Sequence, residues 1–217
     1  MSSLFPLVSF HITLLLAAFV CIQGQQTTVK DVDGNPVLIG KQYFIQPVSA
    51  GGPLVPTPLS ISSFCPLGIT LIPLPFVWGP PVTFANGWSA SPKTIVDTSS
   101  DITIEFKSNT AWPVCNEFSK FWKVNDSSSE PAIVIGGRPS RPEESWFRIR
   151  SAGVNIYEFS SSAKSIGTAP RSWFGLPQLI LTNDNAKTLF VTFKKLGDAI
   201  TSTPRIEKLG LRTLAVN

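Results

Sequence analysis

The sequence predicts an all-β fold, a barrel or a sandwich in one domain, and three observations predict it. Apolar residues come in short runs, several of which alternate with polar ones at the two-residue period of a half-buried strand. Clusters of turn-forming residues separate these runs, and no stretch carries a long 3.6-residue apolar period. The 19 Pro are spread over the chain, and a composition of 43% hydrophobic and 15% charged residues over 217 positions suits a globular core.

Taken in order, the strand-like segments are Tyr43 to Pro47, Ile69 to Ile72, Val82 to Phe84, Ile102 to Phe106, Phe121 to Val124, Ala132 to Ile135, Trp146 to Ile149, Asn155 to Phe159, Gln178 to Leu181 and Thr188 to Phe193. Alternation is clearest in Ile102-Thr103-Ile104-Glu105-Phe106 and in Phe147-Arg148-Ile149-Arg150. Reversals are expected at Asp33-Gly34-Asn35-Pro36, Ala50-Gly51-Gly52-Pro53, Gly79-Pro80-Pro81, Gly136-Gly137-Arg138-Pro139 and Thr182-Asn183-Asp184-Asn185. The Pro-rich stretch from Pro53 to Pro58 and the segment from Leu71 to Pro81 read as long connections.

Residues 1–24 contain no Lys, Arg, Asp or Glu, and Ile12 to Ile22 is almost wholly apolar before the polar Gln23-Gly24-Gln25-Gln26. This pattern is expected of a cleaved secretory signal, since the uninterrupted apolar run is shorter than the roughly 20 residues of a membrane span. The remaining domain is 25–217, secreted to the extracellular space or apoplast or sent to the vacuole, with no membrane attachment after cleavage. Cleavage removes His11, the only His, and Cys21, leaving Cys65 and Cys115. Without His, the chain lacks Ser-His-Asp and Cys-His machinery and the usual His-containing zinc sites. Two Cys in an exported chain are expected to pair, which the chain-entropy account values at about 4 kcal/mol.

At the start of the mature chain, Val29-Lys30-Asp31-Val32-Asp33-Gly34-Asn35-Pro36-Val37 is followed after five residues by Tyr43-Phe44-Ile45. This pattern resembles the signature of plant Kunitz-type (soybean-type) protease inhibitors. Further matches follow at Gly51-Gly52-Pro53, Cys65-Pro66-Leu67, Pro81 to Phe84, Asp101 to Phe106, Cys115, Phe121 to Val124, Trp146 to Ile149 and Leu189 to Phe193. The resemblance implies a β-trefoil of twelve strands in three pseudo-repeats, six closing a barrel and six capping it. It also implies a Cys65–Cys115 disulfide. Members commonly carry a second disulfide in the last third, and the segment from Ser160 to Gly175 has no Cys, so a less restrained loop is expected there.

The resemblance implies a non-enzymatic plant-defence protein, a monomer, that inhibits a serine protease, trypsin-like or a serine carboxypeptidase, through a substrate-like loop. Such a loop binds tightly when it is ordered in advance. Ser89 to Ile95 aligns with it, making Pro92, Lys93 and Thr94 the reactive-site residues, with Lys93 filling the primary pocket and Lys93–Thr94 the scissile bond. A second loop candidate is Thr168 to Trp173, with Arg171 and Ser172. The Asn by which family inhibitors hold the loop is replaced here by Ile39, whose side chain forms no hydrogen bond; unless Asn86 or another polar residue substitutes, a mobile loop that inhibits weakly or is cleaved is expected. The alternative is a non-inhibitory trefoil with a storage, carbohydrate-binding or other protein-binding role.

Other motifs carry less. Asn125-Asp126-Ser127 fits the N-glycosylation pattern. Asp31 to Asn35 has its Gly too early for a calcium loop and reads as a turn, so no metal site and no cofactor is expected. Asp97, Asp101, Glu143 and Glu144 show no spacing of a glycosidase pair. The net charge of +4 is scattered, its densest groups being Arg138 with Arg141, Arg148 with Arg150 and Lys194 with Lys195. No concentrated basic face for nucleic acid is expected.

Overall fold

The computed structural model describes residues 27–49, 52–60, 64–74, 77–87, 93–98, 100–107, 115, 117–127, 130–170 and 175–197. Among them run twelve strands: β1 (Gln42–Pro47), β2 (Leu54–Thr57), β3 (Gly68–Leu71), β4 (Val82–Asn86), β5 (Ile102–Phe106), β6 (Trp122–Asn125), β7 (Ala132–Ile135), β8 (Arg148–Gly153), β9 (Ile156–Ser161), β10 (Lys164–Pro170), β11 (Pro177–Thr182) and β12 (Phe190–Lys195). One helical turn, α1 (Pro142–Ser145), precedes β8.

Six of these strands close a barrel. β1 pairs with β4, β4 with β5, β8 with β9, β9 with β12, and β12 returns to β1. The remaining gap is bridged where Ile102 and Phe147 exchange backbone hydrogen bonds in both directions, at 2.9 and 2.8 Å. The other six strands form the hairpins β2–β3, β6–β7 and β10–β11. These meet pairwise at Gly68 with Val134, Thr70 with Gln178, and Ala132 with Ile180. Four strands of each third, with the inner two turned into a hairpin, make the β-trefoil that the resemblance implied.

The alternation read in the sequence decides which side chains fill the barrel. Val191 and Phe193 point inward from β12 and are buried, while Phe190 and Thr192 on the opposite face are not. Phe193 sits at the centre of an aromatic cluster, with ring centroids 5.4 Å from Phe84, 5.5 Å from Tyr157 and 5.9 Å from Phe159. Trp122 extends it, 5.5 Å from Phe106 and 5.9 Å from Phe159.

Two segments differ from the sequence expectation. The stretch from Pro53 to Pro58, read as a connection, contains β2. It pairs with β3 alone, so it is an edge strand, the place where a Pro such as Pro56 costs no ladder bond. The stretch from Ser160, expected as a loosely held loop, forms the end of β9 and then β10. β10 pairs with β11 from Ser165–Thr182 to Pro170–Pro177, so backbone hydrogen bonds restrain it without a disulfide. Gly167 is required there, because a Cβ would lie 2.5 Å from the Lys187 carbonyl oxygen.

The β9–β10 turn is built from Ser162 and Ala163, with φ of 47° and 68°. Both occupy the left-handed region that two-residue hairpin turns require and that Gly or Asn fills at lower cost. Ala163→Gly is therefore expected to stabilise the fold by about 0.5–1 kcal/mol, read as a rise in the urea midpoint at unchanged slope. An unchanged or lowered midpoint would show that the turn is not strained.

Candidate functional site

The candidate loop is anchored by the segment preceding β1. Asp31 organises that segment: its buried Oδ1 accepts the backbone N–H groups of Asp33 (3.0 Å) and Asn35 (2.9 Å), closing a turn in which Gly34 has φ +83°. Asp31 to Asn35 is thus a turn, as its spacing implied. Two buried tyrosines of the barrel hold the flanks, the Lys30 N–H donating to the Tyr157 hydroxyl (2.8 Å) and the Leu38 N–H to the Tyr43 hydroxyl (2.9 Å).

Residues 93–98 lie along this segment. The Ile39 N–H donates to the Thr94 carbonyl (2.9 Å), the Val96 N–H to the Val37 carbonyl (2.8 Å) and the Val29 N–H to the Val96 carbonyl (2.9 Å). Ile39 packs against the core. Its backbone thus holds the chain after the candidate scissile bond although its side chain makes no hydrogen bond.

The chain before that bond is held from the other side. Asn86, the last residue of β4, donates from Nδ2 to the Lys93 carbonyl oxygen at 2.9 Å. This is the substitution that the loss of Asn at position 39 called for. The backbone on both sides of Lys93–Thr94 is therefore tied to the trefoil, by Asn86 and by Ile39.

Lys93 and Thr94 are brought together at the surface, Thr94 exposed and the Lys93 side chain 39% exposed. The Lys93 ammonium folds back on its own loop, donating to Asp97 Oδ2 (3.0 Å) and Ser100 Oγ (3.2 Å). Asp97, considered in the sequence as a carboxylate for catalysis, is thereby the charge partner of Lys93. Pro92, Arg171 and Ser172 lie outside the described residues, as do residues 1–26 with the expected signal.

Cys65 and Cys115 are joined by a disulfide, 50 positions apart, that encloses Lys93–Thr94. Asn125 ends β6 opposite Ala132, half-buried, with Asp126 and Ser127 exposed beyond it, so the glycosylation pattern stands at a surface turn. Of the remaining carboxylates of the sequence reading, Asp101 accepts from Arg148 Nε at 2.7 Å and Glu144 pairs with Arg141 at 3.2 Å, while Glu143 lines a cleft together with Asp101. Asp101 raises the Arg148 pKa above its ordinary value, first by that hydrogen bond and then by charge. No helix among the described residues is long and apolar enough to cross a membrane. Among the same residues no group of three His, Cys, Asp or Glu could hold a metal ion.

Comparison with known proteins matches residues 29–195 to the Kunitz legume family model, described as trypsin and protease inhibitor. Kunitz trypsin inhibitor 2 of Arabidopsis thaliana is 47% identical over 210 residues, covering 92% of this chain and 95% of that protein. The solved water-soluble chlorophyll protein of Brassica oleracea var. Botrytis, with chlorophyll-b, is 47% identical with a TM-score of 0.74, covering 79% of this chain and 99% of that one. Soybean trypsin inhibitor shares the fold at 23% identity and a TM-score of 0.65, covering 78% of this chain and 99% of that one. It has also been solved in complex with porcine pancreatic trypsin.

Proposed function

The chain belongs to the Kunitz legume family of trypsin and protease inhibitors, and from that membership we propose that it inhibits a trypsin-like serine protease, with Lys93 in the primary pocket and Lys93–Thr94 as the reactive bond. The observation that carries this reading is the hydrogen bond from Asn86 Nδ2 to the Lys93 carbonyl. A protease must receive that carbonyl in one orientation, and an inhibitor gains affinity by having fixed it beforehand. Members of the family act as inhibitors or binding proteins, and no catalytic group is asked of this chain.

On this reading the same anchors also oppose turnover. If the protease cuts Lys93–Thr94, the new carboxylate stays near Asn86 and the new amine stays on the strand-like segment held by Ile39. The Cys65–Cys115 disulfide keeps the two pieces covalently joined. Re-formation of the bond then competes with release, since the reacting ends remain at high effective concentration. The disulfide suits an oxidising compartment, and the reading includes export to the extracellular space or vacuole.

Asn86→Ala tests the proposal. The variant is expected to fold normally, to inhibit trypsin about 10- to 100-fold more weakly, and to be digested at Lys93–Thr94 on prolonged incubation. Equal inhibition and equal survival of both proteins would remove Asn86, and the ordered loop with it, from the account.

A second reading has its own observation. On the outer face of β1, Phe44 is covered by Trp78 with ring centroids 4.8 Å apart, and Trp78 is itself 41% exposed beside Val77 at 53%. Exposed aromatic and aliphatic surface of this kind suits a flat apolar ligand such as the chlorophyll of the Brassica neighbour. Reconstitution with chlorophyll b should then give a pigment complex that Trp78→Ser loses. Absence of a complex with the parent protein would dismiss this reading.

A further inference from the structure

We propose that a cleft between α1 and the β9–β10 turn, separate from the loop at Lys93–Thr94, binds a neutral saccharide. The cavity is about 360 Å³, within the range of small-ligand sites. Three parts of the sequence meet in it: Asp101 before β5; the stretch that carries Glu143 in α1, Trp146 after it, and Arg148 and Arg150 on β8; and Ser160 on β9.

Each wall contributes a feature that a sugar ring requires. Trp146 is half-buried and held in place: its Nε1 donates to the Pro139 carbonyl (2.9 Å), and the backbone of Gly87 lies so close that a Cβ there would be 3.2 Å from Cδ2. A fixed indole offers a flat apolar surface to the C–H face of a pyranose, at little entropic cost. Ser160, 1% exposed, lines the cleft, and its hydroxyl is a group that can both donate to and accept from a sugar hydroxyl.

The charges select a neutral ligand. Both guanidiniums already face carboxylates, Arg148 with Asp101 at 2.7 Å and Arg150 with Glu158 at 3.6 Å. Glu143 adds a negative charge with no ion-pair partner among the described residues. An anion would have to displace Asp101 and approach Glu143, whereas the outer faces of an Arg–carboxylate pair present donors and acceptors side by side, matching neighbouring hydroxyl groups. At the rim stand Ser162 and Ala163 in their left-handed conformations.

The experiment is saturation-transfer NMR and calorimetry on the protein without any protease, so that a failed inhibitor reading leaves the result intact. The probes are glucose, galactose, mannose and N-acetylglucosamine, their β-1,4-linked dimers, and galacturonate as the anionic control. At least one neutral sugar is expected to bind saturably, and Ser160→Ala and Trp146→Phe are each expected to weaken it at least about tenfold. Glu143→Gln, at an exposed position, is expected to leave folding unchanged and to admit galacturonate, which the parent protein rejects. Three results would overturn the proposal: no saturable binding of any neutral sugar, binding unaffected by both Ser160→Ala and Trp146→Phe, or galacturonate preferred by the parent.

Discussion

Lys93→Ala is expected to raise the inhibition constant against trypsin by roughly 10²–10⁴, a loss of about 3–5 kcal/mol, while Arg171→Ala changes it little. The Lys93 ammonium exchanges one environment for another on binding. In the free protein it pairs with Asp97 at 3.0 Å, but with 39% of the side chain exposed the pair is screened and worth at most about 1 kcal/mol. In a trypsin-like pocket the same ammonium meets a carboxylate at the base of a site closed to water, where charge pairing is stronger. The exchange therefore favours entry into the pocket, and Lys93→Arg should preserve most of the inhibition. A Lys93→Ala protein that inhibits as well as its parent would assign the pocket to another residue.

Phe193→Ala carries the largest expected effect on stability, about 3–5 kcal/mol, or a fall in melting temperature of roughly 6–20 °C. Phe193 is fully buried and its ring meets Phe84, Tyr157 and Phe159, side chains of β4 and β9. Truncation leaves a cavity between strands of different thirds of the chain, which the closed barrel cannot collapse without breaking its pairing. The effect reaches the loop as well, because the Val32 N–H donates to the Phe193 carbonyl at 2.9 Å and so ties the anchoring segment to β12. Phe190→Ala, on the exposed face of the same strand, is the control and should cost less than 1 kcal/mol. Similar losses for both would mean that the inward face of β12 is not the core of this barrel.

The strands that were legible in the sequence are those whose inward faces carry large side chains. Ile102-Thr103-Ile104-Glu105-Phe106 and Phe147-Arg148-Ile149-Arg150 fall within a residue of β5 and the start of β8. β2 was hidden by Pro53, Pro56 and Pro58, because whether Pro is tolerated depends on which edge of the sheet a strand occupies, and local sequence does not contain that information. β10 was hidden by Lys164-Ser165-Ile166-Gly167-Thr168-Ala169-Pro170, where Gly167 reflects the approach of Lys187 rather than a turn.

The candidate loop was legible only in part. Lys93 beside Pro92 is a candidate only through local residue types together with family resemblance, and Asn86 was one of the polar residues that could replace the missing Asn. That Asp97 holds the Lys93 side chain was not legible, since an i,i+4 pair outside a helix has no fixed geometry. The cleft was hidden altogether: Asp101, Trp146 and Ser160 meet only because β5, β8 and β9 are neighbours in the barrel.

Presentation of Lys93–Thr94 to a protease in an ordered, tethered form is tested by titration of trypsin with the purified protein, followed by mass analysis under non-reducing and reducing conditions. Stoichiometric inhibition is expected with the chain intact or cut only at Lys93–Thr94, the cut pieces separating only after the Cys65–Cys115 disulfide is reduced. Rapid cleavage at that bond without inhibition, or inhibition with the cut elsewhere, would contradict it.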